Sequence, residues 1–163
     1  QASRMGVACA VLFDSLTGEF LEYLEADIPR LAEALAGLDL VVGFNIRRFD
    51  YLVLSGCSDF DFSSLPTLDI LERVQARLGY RLSLDNLAQA TLGAGKSAEG
   101  LQAIAWWKQG RISEIADYCR QDVSVTLGLY RYGLEHGRLL FTNKAGRRAR
   151  VVADWGPVTE KRT

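Results

Sequence analysis

Hydrophobic and polar positions in the first fifty residues follow the pattern of an α/β unit. An apolar run at residues 7–13 and an alternating segment at residues 19–24, joined by turn residues, predict a β-hairpin. A helix capped by Asp27 is predicted next, with leucines recurring on one side until Gly37. Residues 40–44 then predict a buried strand, which should lie parallel to a sheet neighbour because a crossover helix precedes it.

The second half of the chain is predicted to be mainly helical. The helical half is preceded by a predicted short helix at residues 48–55, a polar loop and a short strand at residues 66–68. Helical periodicity then appears in four segments, at residues 68–78, after the Ser83 cap, at 98–108 and at 112–135. A terminal basic hairpin is predicted within residues 138–155. We therefore predict a single α/β domain over residues 1–163, with a mixed sheet flanked by helices.

Composition narrows the class of protein. A chain of 163 residues with 48% hydrophobic residues suits one domain with a sizeable core. Cys9, Cys57 and Cys119 are widely separated and form no CxxC pair. This spacing argues against a disulfide framework or a zinc site and favours a reducing, cytoplasmic setting. Neither an apolar run of about 18 residues nor a secretory signal pattern occurs, so no membrane association is expected.

Charge is unevenly distributed along the chain. The net charge of −1 argues against a protein that coats nucleic acid by bulk electrostatics. Acidic residues dominate between Asp14 and Glu72, and basic residues dominate after His136. The basic terminal hairpin has two interpretations, a surface that tracks a nucleic-acid backbone or a charged, solvated hairpin. Its basic residues include Lys144, Arg147, Arg148 and Arg150.

Two short groups of residues carry candidate chemistry. The first is Asn45-x-x-x-Phe49-Asp50, where a predicted strand ends and an acid opens a helix, the place where ligand sites of α/β sheets lie. An alternative is that Asp50 only favours the helix dipole and Asn45 only completes a turn. The second group is Tyr118 and Asp122, which their separation of four residues puts on one helix face. The alternative is that Tyr118 and Asp122 merely lie on a solvated stripe of the helix and have no chemical role.

Together and in this order, the two groups resemble the second and third motifs of the DEDD exonuclease superfamily, in its tyrosine subclass. The histidine subclass would have a histidine where Asp117 stands, and His136 is instead interpreted as the cap of a helix end. The chain is most similar to predicted 3′-5′ exonucleases related to family B polymerase proofreading domains. This resemblance covers most of residues 40–132, through VVGFNIRRFDYLVL, LPTLDIL, SLDNLAQATLGAGK and EIADYCRQDVSVTLGLY.

The resemblance implies a ribonuclease H-like fold that hydrolyses phosphodiester bonds at a single-stranded 3′ end, with DNA favoured over RNA. Asp50 and Asp122 would bind two Mg²⁺ or Mn²⁺ ions, and Tyr118 would orient the attacking water. Asn45 and Phe49 would border the terminal nucleotide, although Phe49 is also a candidate core residue. A helicase or a polymerase is a candidate partner.

The sequence departs from the family in its first motif. No Asp-x-Glu precedes the first hairpin. In ribonuclease H-like sheets the strand that carries this motif is central, and its loss would leave backbone groups of two neighbours unpaired. We therefore expect further residues upstream of Gln1. The chain as given is expected to bind metal weakly and to be nearly inactive. The alternative function is a catalytically inactive module that binds nucleic acid or a partner protein.

Four further residues are secondary candidates. Lys96 follows a glycine-rich turn and either meets a phosphate or lies in a solvated loop. Asp69 is interpreted as a helix cap rather than a metal ligand. Trp106 and Trp107 lie near the end of a predicted helix, and at least one indole is expected in the core. The other is a candidate for stacking on a base.

Overall fold

The computed structural model describes residues 9–56, 58–93 and 109–155, apart from the side chains of Cys9, Phe49 and Ile112. Helices and short strands alternate along these residues, which confirms the predicted α/β class. The described residues divide into two compact units. The first unit contains residues 9–38, 47–56, 58–65 and 109–124, and the second contains residues 39–46, 66–93 and 125–155.

A β-hairpin opens the first unit. Strands β1 (Cys9–Asp14) and β2 (Glu19–Leu24) are antiparallel, which confirms the predicted hairpin. Its turn begins at the Asp14 side chain, which accepts a hydrogen bond from Leu16 N at 2.9 Å. The turn ends at Gly18, whose φ of 73° lies in the left-handed region that glycine adopts without strain.

Helix α1 (Ile28–Ala36) follows a 3₁₀ turn at Glu25–Asp27. Asp27 stands at the N-cap position, but its side chain makes no cap hydrogen bond and instead forms an ion pair with Arg30 at 3.4 Å. The predicted capping by Asp27 is therefore wrong. An N-cap backbone is normally extended, whereas Asp27 is already turned, with φ −96° and ψ 2°. The predicted apolar side of the helix is confirmed by its buried residues Ile28, Leu31 and Leu35.

The helical segment around Asp50 begins two residues earlier than predicted. Ile46–Asp50 forms a π-helical turn, which runs directly into α2 (Tyr51–Ser55). Such turns are rare, occur often at functional sites, and have no signal in the hydrophobic pattern. A second short turn, the 3₁₀ segment Phe62–Ser64, packs its phenyl ring on Tyr51 with ring centroids 5.9 Å apart.

A pair of parallel strands lies in the second unit. β3 (Val41–Gly43) pairs in parallel with β4 (Thr67–Asp69), which confirms the predicted parallel neighbour, although the connection between the two strands passes through α2 and not through α1. A Cβ atom at Gly43 would collide with the side chain of Ile46. The chain therefore needs glycine to turn this closely at the end of β3.

Two helices supply one side of the core of the second unit. α3 (Ile70–Leu78) begins directly after β4, and α4 (Leu84–Leu92) begins after Ser83. The Ser83 hydroxyl accepts a hydrogen bond from Asn86 N at 3.0 Å, which confirms the predicted cap. The buried faces of both helices join one apolar cluster with residues of the chain's last segments. Its fully buried members are Leu68, Ile70, Leu87, Ala88, Leu129 and Leu139.

The longest described element is α5 (Ile112–His136), whose first half belongs to the first unit and whose second half belongs to the second. Its second half packs against Trp155, whose indole Nε1 donates a hydrogen bond to Tyr130 O at 3.1 Å. A Cβ atom at Gly133 would collide with this indole. The hydrophobic pattern does not single out Trp155, because one tryptophan after a hairpin has no periodicity.

The end of α5 is sharply defined. The ring of His136, the last helical residue, packs on Tyr132 with centroids 4.2 Å apart. Gly137 follows with φ 71°, and its N–H donates a hydrogen bond to Gly133 O at 2.8 Å, which is a glycine stop signal. Within the described ranges, every helix is too short or too polar to cross a lipid bilayer.

The terminal hairpin is confirmed as β5 (Arg138–Thr142) paired with β6 (Arg148–Val152). The described strands thus pair two by two, in three sheets of two strands each. A single mixed sheet would require strands that pair on both sides, and each described strand pairs with one neighbouring strand. The predicted mixed sheet is therefore not continuous in the part of the chain that the structure describes.

Side chains of α4 complete the hydrogen bonding of β5 on the side away from β6. Asn86 binds the N–H and the C=O of Thr142, at 2.8 and 2.9 Å. Thr91 binds the N–H and the C=O of Leu140 in the same manner, at 2.9 and 2.7 Å. The hairpin is therefore fixed to the helix through four hydrogen bonds as well as through its buried face.

The Asp69 carboxylate joins the end of β3 to the start of α3. The residue is only 2% exposed, and its Oδ1 accepts hydrogen bonds from the N–H groups of Asn45, Leu71 and Glu72 at 2.7, 3.1 and 3.5 Å. The last two bonds cap α3, which confirms the interpretation of Asp69 as a helix cap. Asn45 has a φ of 60°, in the left-handed region that asparagine tolerates better than most residues.

We predict that Asp69→Ala lowers the free energy of unfolding by about 2 to 4 kcal/mol, because it removes a cap and leaves buried N–H groups without an acceptor. Asp69→Asn keeps one oxygen acceptor and should lose less. Urea unfolding followed by circular dichroism measures both. The matched control is Asp61→Ala, which removes an exposed cap that accepts a hydrogen bond from Ser63 N at 3.1 Å and should cost less than about 1 kcal/mol. Equal losses for Asp69→Ala and Asp61→Ala would contradict the prediction.

Candidate active site

Tyr118 and Asp122 lie one turn apart on the first half of α5, within the first unit. Both residues are half-buried. The Oδ1 atom of Asp122 is removed from solvent. This burial argues against the alternative in which the phenol and the carboxylate share a fully solvated stripe.

The surroundings of the Tyr118 phenol disfavour the loss of its proton. Burial raises the pKa of Tyr118 above its ordinary value, and the charges at Asp122 and Cys119 raise it further. Tyrosine is ordinarily protonated at neutral pH, and the raised pKa of Tyr118 extends this state to more alkaline pH. In that state it can donate a hydrogen bond to a water molecule or a phosphate oxygen, but it is a poor general base.

Arg120 holds this part of α5 against the first hairpin. Its guanidinium forms an ion pair with Glu22 and lies over the ring of Phe20, 5.5 Å from the ring centroid. Both partners belong to β2, so the strand positions the helix turn that carries Tyr118 and Asp122. Sequence reasoning missed this contact because its partners are 98 residues apart, and local periodicity carries no signal for such a pair.

Asp50 belongs to the same unit as Tyr118 and Asp122, at the junction between the π turn and α2. It is exposed, and its side chain makes no cap hydrogen bond to α2. An interaction with the helix dipole needs no such hydrogen bond, so both interpretations of Asp50 remain predictions. The structure places all three residues in one unit, on two different elements.

Asn45 is the one candidate substrate-binding residue whose side chain lies among the described residues. Asn45 is half-buried and belongs to the second unit, where its N–H binds Asp69. This contact engages the backbone of Asn45 and supports the turn interpretation, and the side-chain amide takes no part in it. The Phe49 side chain, Lys96, Trp106, Trp107 and the predicted helix at residues 98–108 lie outside the described residues.

Carboxylate oxygens are the donors that Mg²⁺ and Mn²⁺ prefer, so Asp50 and Asp122 are suitable in type for such ions. These two carboxylates alone are too few to hold the ions. Across residues 9–56, 58–93 and 109–155, no three acids, histidines or cysteines lie close enough together to hold a metal ion. The described residues alone therefore do not complete a metal site, and two-metal hydrolysis requires further ligands.

The chain matches a known family. A family sequence profile, described as a predicted 3′-5′ exonuclease related to the exonuclease domain of PolB, matches residues 58–154. The match covers more than half of the chain and includes Tyr118 and Asp122, whereas Asn45 and Asp50 precede it. None of the curated proteins matches the chain.

We predict that Asp122→Asn lowers the pKa of Tyr118, because the substitution removes a negative charge that raises it. The pKa should stay above its ordinary value, because burial, the larger cause, remains. Phenolate absorbance during an alkaline pH titration measures this value, with Tyr118→Phe subtracted to isolate the residue. Protein stability should correspondingly fall as the pH rises above the ordinary tyrosine pKa, since the unfolded state then loses its proton first.

The control for this titration is Asp117→Asn. Asp117 is exposed, directly precedes Tyr118 and does not contribute to its raised pKa. A shift of equal size in Asp117→Asn and Asp122→Asn would show that the effect depends on net charge alone and would contradict the specific pairing of Tyr118 with Asp122.

Proposed function

Because the chain belongs to the family of predicted 3′-5′ exonucleases related to the exonuclease domain of PolB, we propose that it removes nucleotides from the 3′ ends of nucleic acid strands. DNA is the expected substrate, since the resemblance is to polymerase proofreading domains. The observation that supports this proposal most directly is the half-buried pair of Tyr118 and Asp122 inside the matched segment. Asp50 is proposed as the second acid of the same site.

In this proposal, each of the three residues has a distinct task. Tyr118 keeps its proton and donates a hydrogen bond that orients the attacking water or a phosphate oxygen. Asp122 has one carboxylate oxygen removed from solvent, and a carboxylate in that environment attracts a nearby cation more strongly than one in water. Asp50 is exposed and therefore accessible to solvent ions and substrate.

Mg²⁺ or Mn²⁺ ions bound by Asp50, Asp122 and further ligands would lower the pKa of the attacking water and stabilise the leaving oxygen. Asn45, Phe49 and Lys96 are proposed to contact the terminal nucleotide, Phe49 by stacking on its base. A helicase or polymerase partner is a further part of the proposal that depends on the resemblance alone.

A second candidate is a catalytically inactive module that binds nucleic acid or a partner protein. It is favoured by one observation, that the described residues bring fewer than three metal-binding side chains together. The two candidates differ in hydrolysis. An inactive module binds strands without shortening them at any Mg²⁺ or Mn²⁺ concentration, whereas the exonuclease shortens them.

We predict that the chain shortens a 5′-labelled single strand slowly, at Mg²⁺ or Mn²⁺ concentrations high enough to offset weak metal binding, and that a phosphorothioate linkage at the 3′ end protects the strand. Asp122→Asn and Asp50→Asn should each slow hydrolysis by about 100-fold or more, since metal ligands contribute several kcal/mol to transition-state stabilisation. Tyr118→Phe should slow it by about 10- to 100-fold through loss of one hydrogen-bond donor. Gel electrophoresis of the labelled products measures the rates.

Asp117→Asn and Asp61→Asn are the matched controls, because each removes one exposed carboxylate of the first unit outside the proposed site. Both should hydrolyse at the rate of the unmodified chain. Full activity of Asp122→Asn would rule out the proposed site. Binding without any shortening by the unmodified chain would favour the inactive module.

A further inference from the structure

The terminal hairpin has one apolar face and one basic face. Leu139, Phe141 and Val151 are buried in the core of the second unit. The alternate positions on the same strands point the other way and are mostly exposed, as strand geometry requires. We define the basic strip as the five exposed cationic residues of this hairpin, which are Arg138, Lys144, Arg147, Arg148 and Arg150.

The charges of the basic strip are not neutralised by the described part of the protein. No acid occurs between residues 138 and 153. Among the described residues, Lys144, Arg147, Arg148 and Arg150 form no ion pair. Lys144 does have a neighbour, because its ammonium lies 5.0 Å from the centroid of the Tyr80 ring.

Other arginines of the same unit differ from those of the basic strip. Arg73 donates a hydrogen bond to Asp154 O at 2.9 Å, and Arg77 lies 3.8 Å from the Asp154 carboxylate. An acid is thus available in the second unit, and Arg77 of α3 pairs with it. The cations of the hairpin instead remain directed to solvent, which leaves them available for an anionic ligand.

The basic strip is also held rigidly. Four hydrogen bonds with Asn86 and Thr91 fix the backbone of β5. The apolar face of the hairpin is in addition packed in the core of the second unit. Arg148 and Arg150 are alternate residues of β6, so their side chains leave the strand on the same face, about 6.6 Å apart. A repeated anion with a similar spacing, such as the backbone of a nucleic acid strand, fits this arrangement better than one isolated anion.

From this placement we propose that the basic strip binds the phosphate backbone of the nucleic acid strand, without reading its sequence. This inference rests on the proposed function for the identity of the ligand. The arginines supply charge and hydrogen-bond donors that match phosphate oxygens. The hairpin would thereby retain a strand independently of the acids on α5 and at Asp50, so binding and hydrolysis are separable.

The test measures binding of fluorescent oligothymidine to the full chain in EDTA, where hydrolysis does not interfere, over a series of salt concentrations. Each phosphate contact with a single strand contributes about 0.7 to the slope of log K against log salt. Replacing Arg148 and Arg150 together by glutamine should therefore reduce the slope by about 1.4 and weaken binding about 25-fold at about 0.1 M salt. Oligonucleotides of other sequences should lose affinity to the same extent.

Two control variants separate charge from structure. Replacing Arg148 and Arg150 by lysine keeps both charges and should preserve most of the slope. Arg77→Gln makes the same charge change at an arginine already paired with Asp154 and should leave the slope unchanged. All variants should retain the circular dichroism spectrum of the unmodified chain, because the replaced side chains are exposed.

The outcomes distinguish this proposal from the proposed function. An unchanged slope in the double glutamine variant, while the unmodified chain still shortens strands, overturns the role of the basic strip and leaves the exonuclease intact. A reduced slope in a chain that never shortens strands supports the basic strip and overturns the exonuclease. Equal losses in the glutamine and lysine variants also overturn the proposal, because charge would then not be the cause.

Discussion

The buried carboxylate of Asp69 is the interaction on which the second unit depends. A charge removed from water is tolerated only when hydrogen bonds replace its hydration, and here the N–H groups come from two separate segments of the chain. β3 and β4 are three residues long, so their pairing alone contributes few hydrogen bonds. The carboxylate extends that connection beyond the strands, because it also accepts a hydrogen bond from Asn45 N.

The candidate site combines two side chains with opposite roles. A carboxylate with one oxygen removed from solvent lies one helical turn from a phenol whose pKa is raised by burial and by neighbouring charge. Neither residue needs a special backbone conformation, since the regular helix provides the spacing. The position of the helix itself depends on other contacts. Arg120 holds it against β2 through Glu22 and Phe20.

The sequence predicted the elements whose signals are local. The first hairpin, the cap at Ser83, the cap at Asp69 and the terminal hairpin depend on residues within a few positions of each other, and all are confirmed. Asp27 fails as a cap because the preceding 3₁₀ turn changes its backbone, which composition does not reveal. Contacts between distant segments, such as those of Arg120, Asn86 and Trp155, also have no local signal. The roles of Asp50, Tyr118 and Asp122 came from the resemblance and remain predictions.

The attachment of α4 to β5 has a consequence for how molecules of this protein meet one another. The outer edge of a strand is a template onto which a strand of another molecule can add, and such additions lead to aggregation. Asn86 and Thr91 occupy the N–H and C=O groups of Thr142 and Leu140 on that edge. Two polar side chains on a helix therefore satisfy the backbone groups that a neighbouring strand would otherwise pair, and the helix that carries them covers this edge against another molecule.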